Sequence, residues 1–339
     1  MGAVTPGLIQ ELRQIVGGEN VVADPWEVLV WECDAYTIER HPPQAVVLPK
    51  TTEEVSQVMR LLHKEGVPVI PRGAGTSLSG STIAAQGGVV ICLSRMKRIL
   101  DIDLANRRAV VEAGVVNLWV TRAVEGKGFL YAPDPSSQGA CTIGGNVATN
   151  SGGPHTLKYG VTINHVLGVE LVLADGTVVR LGGDVEETPG YDLTGLVVGS
   201  EGTLGIVTKA VVRLIRAPQS CRTLLAVFDT VDDATRAVSE VIRQGIIPAA
   251  VEMMDNLIIQ AVEDAFGFGF PRDAAAVLII ELDGLEAGID ALAQRVRAIC
   301  TRQNAREIRT AKDESQRQAL WKARKRAFGA IGRISPSYV

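Results

Sequence analysis

Apolar and polar positions follow two different rhythms along this chain, and the change comes near residue 216. In the first part, Thr5-Pro6 predicts an N-cap and a first-turn proline for a helix that runs through Val16 and ends at Gly17-Gly18. Ala45–Leu48 has the composition of a strand. Thr51-Thr52-Glu53-Glu54 caps a second helix, whose apolar face is Val55, Val58, Met59 and Leu62 at helical spacing. Gly66 stops that helix, and Val67–Ile70 reads as a buried strand. This β-α-β order predicts two parallel strands. It also puts a loop beginning at Pro71 at the carboxyl end of the second strand, where open α/β sheets bind ligands.

The pattern then turns to short strands at Gly88–Leu93, Ile99–Asp103 and Ala109–Ala113, followed by a short helix at Asn117–Gly126. Ile163–Ala174 and Thr177–Leu181 are predicted strands joined by Asp175-Gly176, a hairpin signal. Leu204–Ile215 is a last long strand. A parallel unit followed by mostly antiparallel strands defines an α+β class. Arg216-Ala217-Pro218-Gln219 marks a boundary, which divides the chain into an N-terminal helical segment (1–41), a first domain (42–217) and a second (218–339). The second domain alternates regularly: strand 223–228, helix 232–244, strand 249–254, helix 256–266, strand 276–282, helix 287–303. That order predicts a ferredoxin-like sheet with helices on one face. A charged helix, Lys312–Ile331, comes next, and the chain stops at Ser335–Val339 without a polar tail. The expectation is a substrate domain cut short.

At 46% hydrophobic and 21% charged, the 339 residues have an ordinary globular composition. A net charge of −4 argues against nucleic acid as a partner. The five cysteines are far apart and form no C-x-x-C, so neither a disulfide framework nor a zinc site is expected, and a reducing, cytoplasmic location fits. No signal peptide and no apolar run of membrane-spanning length is visible, although docking onto a membrane partner stays open. Glycine alters the picture: 24 of the 35 fall between Gly66 and Gly205.

Those glycines cluster. Pro71-Arg72-Gly73-Ala74-Gly75-Thr76-Ser77-Leu78-Ser79-Gly80 has small residues and no acid, so successive N–H groups can converge on an anion. It matches neither the G-x-G-x-x-G nor the Walker A spacing. Taken alone, it reads equally well as a glycine-rich surface turn. The second cluster is Pro133–Ser137 with Cys141–Gly153, and the third is Gly199–Val207. Three such loops in one domain favour a long, flat ligand over tight packing between strands.

Together the clusters resemble the FAD-binding domain of the vanillyl-alcohol oxidase and p-cresol methylhydroxylase superfamily. Within it the chain is similar to the FAD-linked glycolate oxidase and D-lactate dehydrogenase group. Glu32-Cys33-Asp34, Glu252–Asn256 and Ile331-Gly332-Arg333-Ile334-Ser335-Pro336 belong to the same resemblance. It implies that Pro71, Arg72, Gly73, Ala74, Gly75, Thr76 and Ser77 hold the FAD diphosphate through backbone amides. It further implies that Pro133, Asp134, Ser137, Thr142, Gly144, Gly145, Ala148 and Gly152 line the flavin and ribityl chain. Glu201, Gly202, Thr203, Leu204, Gly205, Ile206 and Val207 would take the adenosine side and the diphosphate. Relatives that attach flavin covalently use a histidine where Thr76 stands here, so non-covalent FAD is expected. The family's substrate-carboxylate arginine is matched in position by Arg324; the competing reading is that Lys322, Arg324, Lys325 and Arg326 form a solvated basic run.

The resemblance thus implies oxidation of a small 2-hydroxy acid, glycolate or D-lactate, with hydride passing to flavin N5 and electrons to a separate acceptor. It implies companion subunits, a second FAD-binding one and an iron–sulfur one, and through them a peripheral place on the inner face of a membrane. In full-length relatives a histidine-rich continuation supplies a divalent metal site. His41, His63, His155 and His165 show no ligand spacing, so the chain as it stands is expected to be catalytically incomplete. The alternatives are an FAD-binding but non-catalytic subunit and a nucleotide-binding module without redox chemistry.

Overall fold

The structure, a computed structural model, describes residues 2–183 and 190–334. The closing Ser335–Val339, including Ser335-Pro336 of the last family motif, lies outside the described residues. The chain divides into two compact units: residues up to Gly153 with Val161–Arg216, and Pro154–Gly160 with Ala217 onward.

The elements in chain order begin with α1 (Pro6–Val16), β1 (Val21–Val22), β2 (Ala45–Val47), α2 (Thr52–Lys64), β3 (Val69–Arg72) and β4 (Val89–Cys92). The Thr5 hydroxyl accepts a hydrogen bond from the Leu8 amide at 3.2 Å, and Thr51 does the same for Glu54 at 3.1 Å. The expected caps therefore start both helices. The first sheet has the order β1-β2-β4-β3. β2 and β3 run parallel, but β4 lies between them and pairs in parallel with each. β3 also starts and ends two residues later than expected, which puts Pro71 on an edge strand, where its missing donor is tolerated. Leu8, Leu12 and Val16 of α1 share one core with Val55, Val58 and Leu62 of α2 and with Val47 and Ile91 of the sheet. The N-terminal helix thus belongs to the first unit.

Next come β5 (Ile99–Asp103), β6 (Arg108–Glu112), α3 (Asn117–Val124), β7 (Phe129–Leu130), α4 (Ile143–Thr149) and α5 (Thr156–Tyr159), the last in the second unit. β8 (Val166–Val172), β9 (Val178–Gly182), α6 (Leu193–Val197), β10 (Ile206–Arg213) and β11 (Ile215–Arg216) complete the first unit. Its second sheet, β5-β6-β10-β8-β9, is antiparallel throughout. Val111, Val169, Ala210 and Val212 of that sheet share a core with Val120 of α3 and with Ile143 and Val147 of α4.

The second unit holds β12 (Ser220–Phe228), α7 (Val231–Arg243), β13 (Ala250–Asp255), α8 (Asn256–Phe266), β14 (Ala276–Gly284), α9 (Glu286–Arg302), β15 (Glu307–Thr310) and α10 (Glu314–Ile334). The sheet order β13-β14-β12-β15 is the ferredoxin-like one. Helices cover both of its faces, however, not one. Leu278, Ile280 and Leu282 of β14 meet α7 and α9, while Val277 and Ile279 meet α8 and α10. A strand alternates its side chains, and β14 is apolar on both faces, so each face needs a cover.

Candidate functional site

In the first unit the three glycine clusters meet around a cleft of about 420 Å³. Pro71, Arg72, Gly73, Ala74, Gly75, Thr76 and Ser77 all line it. So do Ser137, Thr142, Gly144, Gly145, Ala148 and Gly152, and from the third cluster Glu201, Gly202, Gly205, Ile206 and Val207. Four expected residues do not. The carbonyl of Pro133 accepts a hydrogen bond from Asn117 Nδ2 at 3.0 Å, turned toward the core. Asp134 packs against Gly153, whose added Cβ would lie 2.5 Å from the Asp134 carbonyl carbon. The Thr203 hydroxyl closes its own turn on the Ser200 carbonyl at 2.6 Å, and Leu204 is exposed outside the cleft. Leu78, Ser79, Cys141, Asn146 and Ser200, which lie within the three clusters but were assigned no role, line it as well, as do Ser81 and Thr82 outside them.

The local chemistry fits a bound anion. Among the described residues, the amides of residues 73–77 donate to no protein acceptor. Five adjacent amides left without protein acceptors at the mouth of a strand form the donor array a diphosphate requires. Two glycines show why the loop can be shaped this way. A Cβ at Gly73 would collide with the Thr142 hydroxyl, and Gly75 stands at φ +67° with its Cβ position 2.7 Å from Arg72 Cζ. These glycines therefore let loop pack on loop, and the cradle that results presents its amides. The sequence set packing against ligand binding; at these two glycines the packing is seen, and it leaves the amides open to an anion.

Thr142 also caps α4, accepting from the Gly145 amide at 3.3 Å. Beneath it Asn117 Nδ2 reaches Asn146 Oδ1 at 3.0 Å, and Asn146 Nδ2 reaches Ser151 Oγ at 3.1 Å. This buried amide chain ties the second cluster to α3. α4 escaped the sequence reading because two glycines stand in its first turn, and glycine disfavours helix interiors.

Among the described residues, Arg72 and Glu201 are the charged groups of the lining. Arg72 is buried; its Nη1 donates to the Cys33 carbonyl at 2.9 Å and to Thr82 Oγ1 at 3.1 Å, and its guanidinium lies 5.4 Å from the Trp31 ring centre. Burial pulls its pKa down from the ordinary arginine value, while Cys92, Asp34 and Cys33 act in the opposite sense. Arginine stays charged regardless, which leaves a cation under the amide array.

The second unit carries the other expected residue. Arg324 does not belong to a solvated run: its Nε donates to Glu252 Oε2 on β13 at 2.7 Å. Among the described residues its two terminal nitrogens have no hydrogen-bond partner. The neighbouring Arg326 instead lies over the Phe266 ring at 5.1 Å.

A second feature went unseen in the sequence. Glu281 of β14 is 2% exposed and accepts from Thr223 Oγ1 at 2.9 Å, Arg317 Nη1 at 3.0 Å and Trp321 Nε1 at 2.5 Å. His155 Nε2 sits 3.1 Å from its other oxygen. Burial alone would raise this carboxyl's pKa; the His155 hydrogen bond, the Arg317 charge and the Trp321 hydrogen bond outweigh it and hold the group at about 2. Lys158 and Tyr159 bind Asp283 on the same strand, and burial raises the Tyr159 pKa well above its ordinary value. A lone glutamate inside the apolar run Ala276–Leu282 was the available signal, since such a group must find partners. Among the described residues, no three His, Cys, Asp or Glu side chains stand together to hold a metal ion. Those residues offer no fitting donor set for the divalent metal implied for relatives.

A p-cresol methylhydroxylase structure with substrate bound superposes with a TM-score of 0.80 at 20% identity, covering 97% of this chain and 72% of that one. The FAD binding domain family matches residues 43–182, and the C-terminal domain of FAD linked oxidases matches residues 217–339. Glycolate oxidase subunit GlcD of Escherichia coli (strain K12) is 46% identical over 331 residues, 98% of this chain and 66% of that protein. GlcD of Bacillus subtilis (strain 168) is 42% identical over 337 residues, 99% of this chain and 72% of that protein. The chain is a flavoprotein of the p-cresol methylhydroxylase fold, with FAD as its cofactor. It belongs to the FAD-linked oxidases of the glycolate oxidase GlcD family, and spans about two thirds of the length of the Escherichia coli relative.

Proposed function

We propose that this chain is the FAD-linked subunit that oxidises a small 2-hydroxy acid, glycolate or D-lactate, to the 2-oxo acid. The supporting observation is the state of Arg324. Its Nε is fixed on Glu252, and among the described residues nothing occupies its planar fork of terminal nitrogens. That is the arrangement for bidentate capture of a carboxylate. The 73–77 amides and Arg72 bind the diphosphate of FAD, and the second and third clusters hold the rest of the cofactor. With Thr76 at the position of the family's attachment histidine, the cofactor is held non-covalently and leaves on denaturation. FAD, when bound, supplies the acceptor for the hydride from Cα while the hydroxyl proton passes to water, so that the 2-oxo acid forms in balance. Arg324 fixes the substrate carboxylate and thereby the direction in which that hydrogen points. The electrons then pass to a separate acceptor on companion subunits, through which the protein sits at the inner face of a membrane.

Anaerobic mixing of the FAD-loaded protein with glycolate or D-lactate tests this reading. Slow but saturable bleaching of the flavin absorbance is the expected result, because the described residues offer no metal site to help remove the hydroxyl proton, with Arg324→Ala raising the concentration needed for half-saturation. Full flavin loading without any bleaching by either acid would refute it and leave an FAD-binding subunit without turnover.

A further inference from the structure

Glu281 is costly where it stands. A carboxylate inside an apolar strand loses its hydration and is tolerated only when donors replace it. One donor, Thr223, comes from the neighbouring strand β12 in direct register with Glu281. The other three come from outside the sheet: His155 on the 154–160 segment, and Arg317 and Trp321 on α10.

Arg317, Trp321 and Arg324 stand at i, i+4 and i+7, so they form one stripe along α10. The first two close on Glu281; the third closes on Glu252. Ala250 pairs with Glu281 and Glu252 with Ile279 in the β13–β14 ladder, which puts the two carboxylates on the same face of the sheet, one rung pair apart. Two acids on adjacent strands therefore grip one helix stripe at two heights. Glu281, buried and met by a guanidinium and an indole N–H, sets the rotation and axial position of α10. Glu252 then receives Arg324 Nε, and the fork of Arg324 falls where that rotation puts it.

We infer that Glu281 is a positioning residue for substrate-carboxylate binding, acting through the seat of α10 to fix the terminal nitrogens of Arg324. The inference rests on the proposed role of Arg324, and its test separates the two. The probe is oxalate, an unreactive dicarboxylate, titrated into FAD-loaded protein and followed by the change in the flavin visible spectrum. Arg324→Ala is expected to weaken oxalate on the order of 100-fold, as removing one side of a bidentate charged pair does. Glu281→Gln, which keeps the shape but drops the charge that holds Arg317, is expected to weaken it ~10-fold, the scale of a sub-ångström misplacement. In the Arg324→Ala background, Glu281→Gln should add nothing, since its effect runs through the missing fork.

If Arg324→Ala binds oxalate as tightly as the parent, the role of Arg324 falls and this inference falls with it. If Arg324→Ala is weak while Glu281→Gln only lowers the melting temperature, Glu281 is a stability element and the positioning role is overturned. An undiminished effect of Glu281→Gln in the double variant would overturn it too. Trp321→Phe gives the same comparison by a second route should Glu281→Gln not fold: it removes the indole N–H that Glu281 accepts while leaving a smaller aromatic ring facing His155, whose ring centre is 5.6 Å from that of Trp321. It should weaken oxalate a few-fold, and only when Arg324 is present.

Discussion

Placing a single methyl group at position 75 tests the proposed cofactor loop most sharply. Gly75 adopts φ +67°, a conformation that costs an alanine roughly 1–2 kcal/mol. The added Cβ would also sit 2.7 Å from Arg72 Cζ and still closer to a terminal nitrogen. The guanidinium is the mobile end of a side chain, but here it is pinned by the Cys33 carbonyl and Thr82 and flanked by Trp31. Pushing it aside sacrifices hydrogen bonds to a charged donor, about 1.5–3 kcal/mol. Gly75→Ala should therefore cost about 2.5–5 kcal/mol in all, the sum of the strain and the displaced contacts. Where that cost appears depends on the free loop. If the loop keeps its shape without FAD, the melting temperature of the FAD-free protein falls on the order of 10 °C. If the loop relaxes when empty, FAD affinity falls ~10²–10³-fold instead. The assay is a thermal melt of the FAD-free protein beside a fluorescence titration with FAD, and the predicted quantity is the sum of the two losses. A variant that melts with the parent and binds FAD as tightly would refute both the seat of Arg72 and the place of this loop in the site.

Three further outcomes follow from the same structure. Glu281, held at about 2 against an ordinary 4.5, contributes stability that is complete above pH 4.5 and drains as pH falls toward 2; about 2 kcal/mol should be gone by pH 3. Urea midpoints at pH 5 and pH 3 measure it, and Glu281→Gln should flatten the difference. Arg324→Lys keeps the charge but loses the fork and the Nε bond to Glu252, so half-saturation for glycolate should rise ~10-fold or more with flavin content unchanged; equal half-saturation would count against the carboxylate role. Thr142→Val keeps the volume but removes the acceptor for the Gly145 amide, and should lower stability by about 1 kcal/mol in a denaturant titration.

Much of the local structure was legible in the residues themselves. The caps at Thr5 and Thr51, the apolar stripe of α2 and the Asp175-Gly176 hairpin each depend on neighbours a few positions away. The three glycine clusters were visible for a similar reason: a loop that must bend sharply and show its amides has few residue types to choose from. What the pattern left open was every matter of long-range partnership. Nothing in Val67–Ile70 or Ala45–Leu48 says that β4 will slide between them, because parallel pairing is decided by which apolar faces meet once the crossover helix has docked. The helices on the second face of the ferredoxin-like sheet follow from the same logic, since β14 is apolar on both sides and takes whatever amphipathic stripe can cover it. α4 forms despite its glycines because Ile143 and Val147 are buried against the second sheet, a gain that helix propensity does not count. In the sequence Arg324 stood between a substrate-carboxylate role and a place in a solvated basic run, and Glu281 was not singled out. Only the fold brings Glu252 to the first and places Arg317, Trp321, Thr223 and His155 around the second. Charge and burial become chemistry when distant segments converge, and in this chain that convergence is a property of the tertiary structure alone.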